Sequence, residues 1–184
     1  MALCTLDDVK NFYGITGDKA EDNDLIKLLI DRYTDIFEAY CNRTSFETAT
    51  YTDYLDSDGG YYIFPEQSPI TSVSGIYDDI DWVWSGSALS SSTYRIANYN
   101  SIVSTTPFTK GMNNIKIVYT AGYATIPGDL KQVLIEEVVR SFKNRKSIDV
   151  VAITASDGSV SRLSKDLLPT TTMVLNRYRR KFVV

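Results

Sequence analysis

The side chains able to do chemistry in this chain are carboxylates, lysines and phenols, because it contains no histidine. That removes Ser-His-Asp triads, Cys-His dyads and His-ligated zinc together. Proton transfer near neutral pH would fall to perturbed carboxylates, lysine or tyrosine. Asp56-Ser57-Asp58-Gly59-Gly60 begins like a calcium loop. Such a loop needs a ligand at its fifth position and a bidentate Glu at its twelfth, and Gly60 and Gln67 stand there. The stretch reads as a hairpin turn. Asp78-Asp79-Ile80-Asp81 has no partner ligands identifiable in the sequence and reads as a solvated loop. Cys4 and Cys41 lack a C-x-x-C context and read as reduced thiols packed as small apolar residues. No Gly-rich phosphate loop, nucleophile elbow or metal-ligand set occurs. No enzyme, metal or cofactor is expected.

Two features point to binding instead. The chain has 13 tyrosines and 2 tryptophans, and Tyr51, Tyr54, Tyr61, Tyr62, Trp82 and Trp84 fall between residues 46 and 120. Aromatics at this density suit a sugar-stacking surface or an interface core; strands also prefer them. The second feature is the end of the chain. Leu167, Leu168, Met173, Leu175 and Tyr178 stand beside Arg177, Arg179, Arg180 and Lys181. Those apolar residues cannot all be buried in a short hairpin and helix standing alone. They read as a docking tail that orders on a partner.

The elements that must position these residues follow from length and pattern. At 184 residues the chain suggests one domain, or one domain with a substantial insertion. The apolar fraction of 43% is a globular value. No run of 18 apolar residues exists, so no membrane partner is expected. Residues 1–8 lack the basic and apolar regions of a signal peptide, and cytoplasmic expression is the expectation. Charge is polarised. Residues 1–100 carry 6 basic and 17 acidic side chains, and residues 101–184 carry 13 and 6. The halves either compensate each other within the chain or face different neighbours, as in a head-to-tail subunit contact.

Thr5 caps a short helix whose first turn holds Asp7 and Asp8, and Gly14 and Gly17 break it. Residues 24–41 form the clearest element, with Ile26, Leu29, Tyr33, Ile36, Phe37 and Tyr40 in one stripe at helical spacing. Residues 46–120 turn to Tyr, Thr, Ser, Ile and Val with repeated turn signals. Strands are expected at 50–55, 61–64, 70–77, 81–84, 94–97, 101–104 and 114–120, the first two as a hairpin. A second amphipathic helix opens at Pro127, with Leu130, Val133, Leu134, Val138 and Phe142 following at three or four. It should pack on the first through Leu29, Tyr33, Ile36 and Phe37. The tail has a loose hairpin around Asp157-Gly158 and a helical stretch over 173–178. The fold class is α+β: a small helical bundle with two main amphipathic helices (1–45 and 121–146), an inserted β-barrel or sandwich (46–120), and an extended C-terminal tail (147–184).

This order of elements resembles the head–tail connector, or adaptor, proteins of tailed bacteriophages. The opening Thr5-Leu6-Asp7-Asp8-Val9-Lys10 resembles their start, as does the long helix running into Tyr40-Cys41-Asn42-Arg43. The strongest match is Val118-Tyr119-Thr120-Ala121-Gly122-Tyr123 leading into Ile126-Pro127-Gly128-Asp129-Leu130-Lys131. Leu168-Pro169 and Leu175-Asn176-Arg177-Tyr178-Arg179-Arg180 resemble the family's C-terminal segment. The resemblance implies a virion protein, assembled in the host cytoplasm, that forms a ring of commonly twelve subunits beneath the portal protein. Such a ring extends the DNA channel and carries a stopper or tail protein. The tail residues named above would dock on the portal. Asp22, Asp24, Asp31 and Asp35 would line the lumen or the ring interface, since a channel through which DNA slides should avoid sticky phosphate contacts. A carbohydrate- or receptor-binding β module with helical flanks is the alternative.

Overall fold

A computed structural model describes residues 2–14, 19–84, 86–146, 152–154, 160–162 and 166–180. They divide into two compact units, Met1–Asn42 with Ile126–Arg179, and Arg43–Thr125 with Arg180–Val184.

The first unit is helical. Helix α1 spans Leu6–Tyr13. The Thr5 hydroxyl accepts the Asp8 N–H at 3.2 Å and the Asp8 carboxylate accepts the Thr5 N–H at 2.8 Å, a reciprocal cap. Gly14 ends the helix in the left-handed region at φ 71°. Helix α2 spans Ala20–Tyr40, four residues longer at its start than the apolar stripe indicates. Glu21 and Asp22 in that first turn suit the positive end of the helix dipole. Helix α3 spans Gly128–Lys143, with Pro127 at its N-cap. Helix α4 spans Pro169–Tyr178, with proline in its first turn.

Helix α3 is the centre of this unit and touches the other three. Ile26, Leu29, Tyr33 and Phe37 of α2 and Leu130, Val133, Leu134, Val138 and Phe142 of α3 are buried, and Ile36 is half-buried. Each large side chain buried this way contributes about 1.5–3 kcal/mol. Tyr33 Oη lies 2.6 Å from Ser141 Oγ, and Asp22 pairs with Arg145 at 3.3 Å. The start of α2 therefore meets the end of α3, and the two helices run antiparallel.

The second unit is a β structure. Strands β1 (Ala49–Ser57), β3 (Ile70–Asp78) and β6 (Gly111–Ala121) form an antiparallel sheet in the order β1-β6-β3. Strands β2 (Tyr62–Ile63), β4 (Tyr94–Ala97) and β5 (Ser101–Ser104) form another, in the order β2-β5-β4. Ile115, Ile117, Tyr119 and Ala121 alternate along β6 onto its buried face. They share one apolar cluster with Ile76 of β3, Ile63 of β2 and Ile102 of β5. Strands β7 (Ala152–Thr154) and β8 (Val160–Arg162), which fall in the first unit, pair antiparallel; Asp157 and Gly158 lie outside the described residues.

Three expectations are corrected. The β module is not a closed barrel, because its strands divide between two three-stranded sheets. Residues 50–55 and 61–64 do not form a hairpin: β1 pairs with β6 and β2 with β5, so the turn at Asp58 to Gly60 carries the chain from one sheet to the other. Residues 81–84 are not a strand. Trp82 and Trp84 sit at φ 56° and 54°, a left-handed backbone incompatible with extension.

Gly122 explains the Ala-Gly-Tyr step after β6. Its φ is 115°, and a Cβ there would lie 2.2 Å from the Glu47 carbonyl oxygen. Only glycine permits that approach.

Candidate functional site

The buried polar groups come first, because they would carry any chemistry. Tyr119 donates its hydroxyl proton to Asp53 Oδ2 at 2.6 Å and accepts the Gln67 N–H at 2.8 Å. The same carboxylate oxygen accepts the Glu66 N–H at 2.6 Å. Burial, reinforced by the Asp53 carboxylate, pushes the Tyr119 phenol well above its usual range. A phenol so held keeps its proton, and the arrangement fastens the 66–67 loop. Cys4 and Cys41 are free and buried, and burial pushes the Cys4 thiol up to about 12. Among the described residues, no group of three or more acidic or sulfur side chains is placed to hold a metal. Nor is any helix among them long and apolar enough to cross a membrane.

The C-terminal helix is the next candidate. Leu168 at its start donates its backbone N–H to Glu137 Oε1 at 2.6 Å. The other carboxylate oxygen of Glu137 lies 2.8 Å from the Arg140 guanidinium, which also donates to the Asp166 carbonyl at 2.6 Å. At its far end Tyr178 donates its hydroxyl to Asp129 at 2.5 Å, with Arg177 3.8 Å from the same carboxylate. Glu137 lies towards the end of α3 and Asp129 at its beginning, so α4 lies antiparallel along α3. Leu175 is fully buried, and its carbonyl accepts from the Cys41 thiol at 3.5 Å. Arg179 stands over the Tyr40 ring at 5.6 Å.

The residues expected to dock therefore separate. Leu175 is buried within its own unit, and Leu167, Leu168, Tyr178 and Arg180 are half-buried. Met173, Arg177 and Arg179 are exposed. Lys181 lies outside the described residues. Glu137, the buried carboxylate that fastens the entry to α4, escaped sequence reasoning as a functional residue. Its place inside an otherwise apolar stripe was the signal available.

The four acidic residues of α2 also separate. Asp22 is half-buried and paired with Arg145. Asp24, Asp31 and Asp35 are exposed, and recur at spacings that place them along one side of α2 with Leu28. Lys27 lies 3.7 Å from Asp24. Part of the charge split is compensated inside the helical unit, where Asp8 and Asp22 meet Lys131 and Arg145.

In the β unit the aromatics have two fates. Tyr119 is buried with Tyr51 half-buried beside it, ring centroids 5.9 Å apart. Tyr54 and Trp82 are exposed, and Tyr54 stands 5.6 Å from the Trp84 ring.

The sequence matches the head completion protein family over residues 2–181. The chain belongs to the head completion protein family. It is accordingly a structural component of the virion, at the head–tail interface. Its fold is shared with a chain in the neck of an empty GTA particle computed with C6 symmetry. That match has a TM-score of 0.63 at 13% identity, covering 99% of this chain and 92% of the other. A chain in the neck of a native GTA particle computed with C12 symmetry matches with a TM-score of 0.58 at 14% identity, covering 97% and 90%. No curated protein matches significantly. For a head completion protein the surfaces that remain open, α4's outer side, the acidic side of α2 and the aromatic end of the β unit, are candidates for assembly contacts.

Proposed function

We propose that this head completion protein is a non-enzymatic ring subunit that joins the portal vertex to the tail and extends the DNA channel. The observation that carries the reading is the family match over residues 2–181. The fold likeness to chains in necks computed with C6 and C12 symmetry supports a ring, with twelve subunits as the expected number. The portal protein is the proposed partner of the C-terminal segment 147–184, and a stopper or tail protein that of the opposite side of the ring. Within the segment, Met173, Arg177, Arg179, Arg180 and Lys181 make the contact, while Leu175 holds α4 to its own chain. Leu167, Leu168 and Tyr178 set the angle of the helix. The exposed carboxylates Asp24, Asp31 and Asp35 face the lumen or the ring interface, where like charge repels the DNA backbone instead of gripping it.

Electron microscopy of the protein alone and with portal protein tests this. Rings coaxial with the portal are expected, along with no tight DNA binding at physiological salt. A protein that stays monomeric with portal and is missing from finished particles sinks the reading. The carbohydrate-binding alternative rests on Tyr51, Tyr54, Tyr61, Tyr62, Trp82 and Trp84, of which the exposed Tyr54 and the half-buried Trp84 have rings inclined at 54°. That pair is not flat, whereas the exposed Tyr62 and Phe64 rings lie within 16° of parallel with centroids 6.5 Å apart, and a glycan-binding screen tests the alternative.

A further inference from the structure

We infer that neighbouring subunits join through two different patches: the acid-rimmed aromatic end of the β unit on one copy, and the cationic aromatic end of α1 and α3 on the next. This rests on the ring reading above and specifies its contact. In the β unit, Trp82 is 59% exposed, Val83 65% and Met112 73%. Their display is built into the backbone. Trp82 and Trp84 both adopt positive φ, which bulky residues rarely do. The Asp79 carboxylate holds that turn by accepting the Asp81 and Trp84 N–H groups, each at 2.9 Å. The Trp82 indole N–H donates to the Met112 carbonyl at 3.0 Å, which ties the turn to the neighbouring strand. A surface of this kind, apolar and held by hydrogen bonds, is suited to a protein contact. Asp79, Asp81 and Asp56, which accepts the Asn113 N–H at 2.7 Å, border it with one lysine, Lys116, 5.6 Å over the Tyr77 ring; three carboxylates against one ammonium leave the border net negative.

The helical unit carries the complement. Phe12 is 50% exposed and Tyr13 39%. Lys143 Nζ stands 4.5 Å over the Tyr13 ring, which meets Phe142 edge-on at 6.5 Å. Lys143 is exposed. Each chain thus presents one acid-rimmed and one cationic aromatic patch. Charge complementarity makes a second copy the occupant. Two unlike patches give a heterologous contact, the kind that propagates around a ring, whereas a self-complementary patch would stop at a two-fold dimer.

Full-length Trp82→Asp, the backup Met112→Asp, and the pair Phe12→Asp with Lys143→Glu should each be monomeric in sedimentation velocity where wild type forms rings. All of these positions are solvent-exposed, and wild-type circular dichroism is expected. Mixing the β-patch variant with the helix-patch variant should restore one contact per pair and yield a dimer and nothing larger. Rings of wild-type size from either variant overturn the inference and leave the ring reading intact. So does a mixture that remains monomeric. A variant that keeps its ring but no longer takes up portal or tail protein overturns it too, assigning the patch to that partner. Wild-type protein that assembles neither alone nor on portal sinks both.

Discussion

Helix α4 and the turn at 79–84 carry the same kinds of side chain and meet opposite fates. In α4, Leu175 is fully buried and the helix is fastened at its two ends by Glu137 and Asp129. In the turn, Trp82 and Val83 stand in solvent while the backbone beneath them is tied by Asp79. Polar contacts hold both segments. In α4 they press an apolar side against α3; in the turn they hold apolar side chains away from the core. Composition alone does not separate a segment that completes its own unit from one that waits for another molecule. What separates them is whether a complementary apolar surface lies within reach of the chain.

The comparison can be broken most forcefully at Leu175. Leu175→Ala removes a fully buried side chain and should cost about 2–5 kcal/mol, read as a fall in the denaturant midpoint. A stability unchanged from wild type would show that α4 is not part of the helical core. Glu137→Ala comes next. It leaves the Leu168 N–H without its acceptor and removes the carboxylate beside Arg140, a loss of about 2 kcal/mol. Faster amide exchange confined to α4 would show that the loss is local.

Smaller effects follow at the cap of α1. The hydrogen bonds of Asp8 with Lys131 and with Thr5 hold its carboxyl down at about 2, below the ordinary 3.8. The folded value lies below the unfolded one. The stabilisation is therefore complete above about pH 4 and fades as pH falls through about 2. Thr5→Ala should cost about 1 kcal/mol, and NMR titration should show the Asp8 midpoint rising towards its ordinary value. The smallest effect belongs to Trp82. Trp82→Ser should change monomer stability by no more than about 0.5 kcal/mol, measured by thermal melting. A clear loss there would mean that the turn belongs to the core, and the contrast with α4 would collapse.

Elements whose order is written in local chemistry are legible in the sequence. The Thr5–Asp8 cap, the apolar stripe of α2, the proline start of α3 and the limits of β4 and β5 all follow from spacing and capping. They depend on the backbone's own periodicity and on neighbours within one turn. The α+β class follows from their sum, and the motif residues 118–131 carried the family resemblance. Tertiary packing, instead, settles which strand pairs with which. Residues 50–55 and 61–64 read as a hairpin across Asp58 to Gly60, yet β1 and β2 lie in different sheets. Pairing is set by which buried faces meet: Ile115, Ile117 and Tyr119 of β6 lie far along the chain from β1 and supply the partner face. It also decided that Leu175 is core and Trp82 is surface. Burial is a property of two surfaces in contact, and one of them is always elsewhere in the chain. For Leu175 that surface is present on α3 and at Cys41, whereas Trp82 stays 59% exposed, held by its indole hydrogen bond to the Met112 carbonyl.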